Sequence, residues 1–371
     1  MGRARQRTGN AMSRYPGAID CDIHPTVPGI GVLLPYMDDY WQEAFVSRGI
    51  DGLEMASYPP GAPISCRADW RPAKGRPAAD PATIACQSLD VMGTAFAICN
   101  PLTGGQVAVS ESMGAAVCQA VNDWITKEFL DKDARFRSSI IVPPQSPELA
   151  VEEIERRAPD HRFVQVMIPV AVEMMLGRRY YWPLLAACEK HGLPLGLHAG
   201  SLHRYPTTSN GWSSHYIQDY VSHSQTFEDQ LLSLIHEGAF VKFPGLRVVL
   251  IESGVSWLPG FIWRAIKTWR GVRAEVPYVK RSPAEIVREH VRLTAQPFDA
   301  PDAEAVTRIV EMIDSDEMLL FATDYPHWQF DGDRAVPDGL PAPFLAKMLI
   351  DNPLATYPRL KENLHEPHAR T

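Results

Sequence analysis

The chain has 371 residues, of which 45% are hydrophobic and 22% are charged, and this composition is typical of a globular protein. A formal net charge of -8 argues against nucleic acid or an anionic membrane as a partner, and no apolar stretch approaches the roughly 20 residues of a membrane-spanning helix. The six scattered cysteines have neither zinc-ribbon spacing nor the density of a disulfide scaffold, so we expect a reduced, cytoplasmic protein.

Composition changes divide the chain into a leader, a domain with one insertion, and a tail. Residues 1–17 are basic and polar without an apolar core, so we interpret them as a flexible leader and not as a secretory signal. Residues 18–360 are predicted to form a single domain, with a Pro- and Gly-rich insertion at about 55–85 and a polar tail at 361–371. The insertion follows the first strand, where it would serve as a lid or a subunit contact.

Short apolar runs alternate with helical patterns along this domain. Strands are predicted at 18–25, 91–100, 137–143, 163–169, 193–201, 246–254, 291–296 and 319–323. Helices are predicted at 110–132, 146–157, 180–191, 227–239, 257–273, 303–313 and 344–350. Residues 202–226 are predicted to form a polar loop. Eight strands that mostly alternate with helices are typical of parallel βαβ units, so the sequence predicts an α/β fold, a (β/α)₈ TIM barrel.

Titratable side chains stand at the ends of four of these strands. Asp22 and His24 lie two residues apart, so the period of two in a strand places both on one face, where they can reach a single metal ion. His198 ends the fifth strand, Glu252 the sixth and Asp324 the eighth. Because barrel enzymes keep their chemistry at the C-terminal ends of the strands, we expect all five groups to lie together at that end of the barrel. Each residue alone also fits an ordinary role, such as a polar strand face, a structural histidine or an Asp-Tyr-Pro turn.

Imidazole and carboxylate groups in this number suit one divalent metal ion. Two of each around an open position are compatible with Zn²⁺, which we predict first, and with Mn²⁺ or Fe²⁺. An ion there would acidify a bound water and polarise a substrate carbonyl or carboxylate. Asp324 would face both the metal and the substrate, so it would be a ligand and a proton shuttle. The glycines form neither a GxGxxG nor a Walker loop, so no nucleotide site is expected.

Five segments carry a family pattern, namely IDCDIHP at 19–25, LHAG at 197–200, LIESGVSWLP at 250–259, TAQP at 294–297 and FATDYPH at 321–327. Together they resemble the amidohydrolase superfamily, specifically the amidohydrolase-2 branch that includes aminocarboxymuconate semialdehyde decarboxylase and the resorcylate-type decarboxylases. The resemblance implies a (β/α)₈ barrel with one divalent metal, and it matches Asp22, His24, His198 and Asp324 to the ligand positions. It also suggests a homodimer or a higher homo-oligomer.

Two positions depart from the pattern of that branch. The first ligand pair is usually His-x-His or Glu-x-His, whereas Asp22 and His24 give Asp-x-His. The sixth strand of the characterised decarboxylases ends in a histidine that acts as acid and base, whereas this chain has Glu252. A glutamate can take protons from water but cannot be cationic beside a developing oxyanion, which weighs against carrying the decarboxylase mechanism over to this chain.

The sequence therefore predicts a metal-dependent hydrolase with a small-molecule substrate. Metal-activated water would attack a carboxylated, lactone or amide substrate, and Asp324 would take the proton of the water. Glu252 would assist as a second base or would orient the water. The alternative is non-oxidative decarboxylation of an aromatic or muconate-like acid, in which Asp324 would protonate the carbon left behind. A further alternative is a ligand-binding barrel with altered chemistry. The predicted substrate contacts, from loops after the fifth and eighth strands, are His203, Arg204, Trp212 and His327.

Overall fold

Eight parallel strands form one sheet in which strands adjacent in the sequence are neighbours. The computed structural model of the protein describes residues 13–52, 66–67, 70–200, 205–327 and 335–363. The strands are β1 (Ile19–Ile23), β2 (Phe96–Cys99), β3 (Phe136–Ile141), β4 (Phe163–Pro169), β5 (Leu195–His198), β6 (Val248–Ile251), β7 (Val291–Thr294) and β8 (Leu319–Leu320). Every residue of these strands is buried, as expected where helices cover a parallel sheet.

Contacts between the first and last strands close the sheet into a barrel. The Cys21 amide donates to the Phe321 carbonyl at 2.9 Å, and the His24 amide donates to the Tyr325 carbonyl at 2.8 Å. Ile23 also pairs with Tyr325 in parallel. The sequence-based prediction of a (β/α)₈ barrel is therefore confirmed, and the C-terminal end of β1 lies beside the segment that follows β8.

Fourteen α-helices connect and cover the strands in the described part of the chain. They are α1 (Asp39–Ser47), α2 (Pro81–Ile84), α3 (Asp90–Met92), α4 (Glu111–Ile125), α5 (Pro147–Arg157), α6 (Trp182–Lys190), α7 (Tyr216–His236), α8 (Ala239–Lys242), α9 (Leu258–Val272), α10 (Pro283–His290), α11 (Ala303–Ile313), α12 (Ala342–Ala346), α13 (Asn352–Thr356) and α14 (Pro358–Asn363). Short 3₁₀ turns occupy Ile30–Val32, Leu34–Tyr36, Gly104–Val107, Arg179–Tyr181 and Arg273–Glu275, and π turns occupy Ala85–Leu89, Thr126–Leu130 and Lys347–Asp351. None of the helices among the described residues has the length and apolar character needed to cross a membrane.

Helix starts follow local capping chemistry, and two of the helices differ from the prediction. The Asp302 side chain accepts a hydrogen bond from the Ala305 amide at the start of α11, which has the predicted bounds. Ser282 and Glu285 form a capping box at α10, a helix that the sequence reading missed. The predicted loop at 202–226 was wrong beyond residue 215, because α7 begins at Tyr216.

The segment before β1 is tied to the barrel. The amides of Arg14, Tyr15 and Gly17 donate to the carbonyls of residues 91–93 over 2.8–3.3 Å, and the Tyr15 ring packs edge-on against Phe321. Residues 13–17, which the sequence analysis placed in a leader, therefore belong to the base of the folded barrel in this structure. The insertion at 55–85 lies only partly within the described residues.

Candidate metal centre

The side chains at the end of β1 face the end of β8. The His24 Nδ1 lies 2.9 Å from the Asn100 carbonyl, which can only accept, so this nitrogen carries the ring proton of the neutral tautomer. The other nitrogen, Nε2, lies 2.9 Å from Asp324 Oδ1 and 3.2 Å from Asp22 Oδ1. Two carboxylate oxygens this close to one imidazole nitrogen require a proton or a cation between them, because a bare lone pair would repel both.

His198 at the end of β5 presents its Nε2 in the same way. Its Nδ1 lies 2.6 Å from the Ala199 carbonyl, which leaves Nε2 without a proton in the neutral ring. Nε2 lies 3.8 Å from Asp22 Oδ2 and 3.6 Å from Glu252 Oε2. The rings of His198 and His24 stand nearly perpendicular, with centroids 5.0 Å apart. Backbone carbonyls thus orient both imidazoles towards one point, as they commonly do for metal ligands.

Asp324 links the strand ends to the loop after β8. Its Oδ1 is shared by His24 Nε2 and by His327 Nδ1, the latter at 2.6 Å, and the His327 ring stacks on His24 with centroids 4.2 Å apart. Asp324 and Glu252 both adopt left-handed backbone conformations, with φ of 56° and 58°. Such strained positions in non-glycine residues cluster at functional sites, where they aim a side chain that a regular strand would point elsewhere.

Burial and neighbouring charges set the protonation states of these groups. Burial raises the pKa of Asp22, but the charge of His24 and the hydrogen bonds from His24 and Asn100 together outweigh burial and lower this pKa to about 2. Burial lowers the pKa of His198 to about 4, so this imidazole is neutral near pH 7. Burial and then the charge of Asp324 raise the pKa of Glu252 well above its usual value. An ionised Asp22 and a neutral His198 are the forms that bind metals.

Three buried polar atoms at this point have no hydrogen-bond partner among the described residues, namely Asp22 Oδ2, His198 Nε2 and Asp324 Oδ2. Buried polar atoms are rarely left unpaired, so each of these atoms is available to bind an ion or a ligand. Atoms of Asp22, His24 and His198 lie within 4.8 Å of one another, and so do atoms of His24, Glu252, Asp324 and His327. Nitrogen and oxygen donors that converge in this way fit one divalent ion.

The residues predicted to contact the substrate do not all lie at this cluster. His327 joins the cluster through Asp324, as described above. Trp212 lies in the loop before α7 with 47% of its surface exposed. It is not one of the residues that line the cavity next to Glu252, which opens beside the cluster. His203 and Arg204 lie outside the described residues, so their role stays a prediction.

A cavity of about 310 Å³ opens beside the cluster and shares Glu252 with it. Its walls also include Tyr220, His223, Trp257, Pro297 and Asp299. Tyr220 donates its hydroxyl to Glu252 Oε1 at 2.9 Å. The volume is sufficient for a single substituted ring, and the faces of Trp257 and Pro297 supply apolar surface for it.

Sequence reasoning missed Asn100, although it stands at a strand end like the predicted ligands. Its Nδ2 donates to Asp22 Oδ1 at 2.8 Å, its carbonyl accepts from His24, and its Oδ1 accepts from Ser139 Oγ at 2.6 Å. One residue therefore orients two of the predicted ligands. The available signal was its position at the end of β2, at the same edge of the barrel as the other strand ends.

We expect Asn100→Ala to weaken the affinity for a divalent ion by about 10- to 100-fold, because residues that orient metal ligands typically contribute this much. The affinity is measured by titrating the metal-free protein with Mn²⁺ or Zn²⁺ in a calorimeter. Asn210→Ala, in the exposed turn before α7, is the matched control and should bind the ion as the unmodified protein does. Equal affinities in the two variants would show that Asn100 does not orient the ligands.

Comparisons with known proteins agree on the family and the fold. The family described as Amidohydrolase matches residues 19–359. A γ-resorcylate decarboxylase from Polaromonas sp. is 24% identical over 235 residues, which cover 60% of this chain and 70% of that protein.

Two solved structures share the fold. An amidohydrolase from Mycobacterium avium subsp. paratuberculosis has a TM-score of 0.69 and 20% identity, with 92% of this chain and 97% of that one covered. A dihydroxybenzoic acid decarboxylase from Polaromonas sp., solved with bound manganese and the inhibitor 2-nitroresorcinol, has a TM-score of 0.66 and 19% identity, with 95% of this chain and 100% of that one covered.

Proposed function

The chain belongs to the amidohydrolase family of enzymes, and we propose that it catalyses the metal-dependent, non-oxidative decarboxylation of a hydroxylated aromatic acid. The observation that carries this proposal is the position of Asp324, which has one buried oxygen without a hydrogen-bond partner among the described residues and the other bonded to His24 and His327. Such a carboxyl can give a proton to a substrate carbon and take a new one from its neighbour. The γ-resorcylate decarboxylase relative supports the same reaction class.

The ligands of the metal would be Asp22, His24, His198 and Asp324. A divalent ion there would hold the carboxylate and an adjacent oxygen of the substrate and would neutralise part of their negative charge. Two nitrogen and two oxygen donors accept either Zn²⁺ or Mn²⁺. Because the decarboxylase from Polaromonas sp. was solved with manganese, we propose Mn²⁺ alongside the Zn²⁺ that the sequence analysis preferred.

Asp324 would then act as the general acid of the reaction. It gives its proton to the ring carbon that bears the carboxylate, the bond between that carbon and the carboxylate breaks, and the electron pair of this bond returns to the ring as CO₂ leaves. His327, 2.6 Å from Asp324 and partly exposed, passes a proton from solvent back to Asp324. One substrate anion and one proton yield one arene and one CO₂, and no water is consumed.

Glu252 would serve as a binding group in this reaction. It replaces the histidine of the characterised decarboxylases, lines the cavity and accepts the Tyr220 hydroxyl at 2.9 Å. Tyr220 fixes the direction of the carboxyl group, which lies 3.6 Å from His198. Glu252 would therefore hold a phenolic hydroxyl of the substrate through a hydrogen bond, and this role needs no positive charge on the side chain.

Hydrolysis, which the sequence analysis preferred, now has the weaker support, because the curated relative is a decarboxylase. The two reactions differ in their use of water. We expect metal-loaded enzyme to release one CO₂ per phenolic product from a panel of dihydroxybenzoates, without transfer of ¹⁸O from labelled water to the product. Cleavage of esters or lactones with ¹⁸O incorporation, and no CO₂ from any acid of the panel, would instead establish hydrolysis.

The domain limits and the oligomeric state stay proposals. We propose one domain over 18–360, with residues 13–17 packed against it. We also propose a homodimer or a higher homo-oligomer in solution, which light scattering on the purified protein tests directly. A monomer would contradict both of these states.

A further inference from the structure

A second polar cluster lies on the first turns of α7, away from the proposed ligands. His223 is only 7% exposed, and neither of its ring nitrogens has a hydrogen-bond partner among the described residues. Asp219 Oδ2 lies 3.5 Å from His223 Nε2, and this oxygen also has no hydrogen-bond partner in the described part of the chain. An imidazole buried with both nitrogens unsatisfied is unusual, because such atoms normally find a partner.

The carboxylate of Asp219 is itself held in place. Asp219 is 2% exposed, and its Oδ1 accepts the Thr207 hydroxyl at 2.7 Å. The Thr207 carbonyl in turn accepts the Thr226 hydroxyl at 2.8 Å from the next turns of α7. This chain of hydrogen bonds fixes the Asp219 carboxyl group 3.5 Å from Nε2 of His223, where it helps to orient the ring.

The wall of the cavity connects His223 to the metal centre. His223 and Tyr220 are three residues apart on α7, so they share one face of the helix, and their ring centroids are 5.2 Å apart. Tyr220 is bonded to Glu252, and all three residues line the same cavity. Glu252, Tyr220 and His223 therefore follow one another along the wall, starting at the residue nearest the proposed ligands.

The charge in the cavity wall limits which substituents a ligand can carry at the end of the cavity near His223. The carboxyl group of Asp299 lies in the wall of the same cavity, so a second anionic substituent on a ligand would meet repulsion from it. A hydroxyl group is neutral, and it can donate to or accept from an imidazole nitrogen. A site with a buried polar group discriminates against ligands that lack its partner, because that group is then left unpaired.

We propose that His223, oriented by Asp219, is a specificity-determining residue that hydrogen-bonds a ring hydroxyl on the edge of the substrate remote from its carboxylate. This inference rests on the proposed function, since it assumes that the carboxylate of an aromatic acid binds at the metal centre. It identifies the substrate as a benzoate with a hydroxyl on the far edge of the ring. That hydroxyl would be the hydrogen-bond partner of an imidazole whose two nitrogens have none among the described residues.

The test compares ligands that differ by one hydroxyl. Salicylate has no hydroxyl on the far edge of the ring. β-Resorcylate carries its second hydroxyl para to the carboxylate, and gentisate carries its second hydroxyl meta to the carboxylate. Their dissociation constants for the metal-loaded protein are measured by calorimetry under conditions without turnover. We expect one of the two dihydroxybenzoates to bind at least about 10-fold tighter than salicylate, the ratio expected for one well-placed hydrogen bond.

His223→Ala should remove this preference and leave the affinity for salicylate within about twofold, which also shows that the cavity remains folded. His223→Gln should retain part of the preference, because its amide can still donate and accept. His236→Gln, at the last turn of the same helix, is the matched control and should bind all three ligands as the unmodified protein does.

A preference that persists in His223→Ala would overturn the inference, and so would the absence of any preference in the unmodified protein. Because binding is read without turnover, the proposed reaction is judged separately. A preference that depends on His223 in a protein that releases no CO₂ would support the subsite and contradict the decarboxylase.

Discussion

Replacing Asp324 with asparagine is expected to lower kcat for CO₂ release by roughly 100- to 10,000-fold, the range that a general acid typically contributes. The amide has nearly the same shape but cannot give a proton to carbon. Asparagine tolerates the left-handed backbone that Asp324 adopts at φ 56°, so we expect the fold to be kept. Activity is measured at saturating metal, because the substitution also weakens one proposed ligand.

The matched control is Asp314→Asn. Asp314 has the same φ of 56°, but it is exposed at the end of α11 and pairs with Arg288. The chemical change and the φ angle are therefore the same, whereas the location and the surroundings differ. We expect this variant to retain full activity, and near-normal turnover by Asp324→Asn would exclude Asp324 as the acid.

Deuterium from the solvent gives a second readout for the same position. In D₂O the unmodified enzyme should place one deuterium on the ring carbon that loses CO₂, and residual turnover by Asp324→Asn should be limited by this proton transfer. A metal ligand without a proton-transfer role would alter metal affinity but would not make this transfer rate-limiting.

The barrel and the proposed ligands could be predicted from the sequence, because both depend on local sequence patterns. Buried strands are short apolar runs that stop at turn formers, and barrel chemistry lies where these strands stop. Those two rules select Asp22, His24, His198, Glu252 and Asp324, and the structure brings atoms of these residues within a few ångströms of one another.

The start of α7 could not be predicted from the sequence, because its hydrophobic pattern is the reverse of the usual one. The apolar side chains Ile217 and Val221 are each 70% exposed, whereas Asp219 and His223 are buried. A helix whose inner face lines a polar cavity has its polar residues inside, so the usual apolar stripe is absent and the segment resembles a loop. The residues that carry the further inference lie on this inner face.

Hydrogen-bond partners that are far apart in the sequence could not be predicted from sequence patterns either. Asn100 is 78 residues from Asp22, and Tyr220 is 32 residues from Glu252. Nothing local distinguishes these residues from other polar residues near strand and helix ends. Likewise, the left-handed conformation of Glu252 could not be anticipated, because glutamate rarely adopts it.

We expect His198→Ala to lose the bound divalent ion, with the affinity lowered by at least about 100-fold, because a direct ligand contributes more than the residues that merely orient ligands. The Nε2 of His198 is buried without a hydrogen-bond partner in the described part of the chain, so no other group there satisfies it. Metal content per chain is measured by elemental analysis after purification without added metal, and it should fall from about one equivalent to near zero.

Thermal unfolding supplies an independent readout of the same loss. An ion that binds only the folded state raises the unfolding temperature, so added Mn²⁺ should stabilise the metal-free unmodified protein but not His198→Ala. His191→Ala is the matched control, since this histidine lies at the end of α6 and pairs with Glu155 at 3.1 Å. If His198→Ala is unstable, His198→Gln keeps the volume and serves instead. One equivalent of metal retained in both His198 variants would remove this residue from the ligand set.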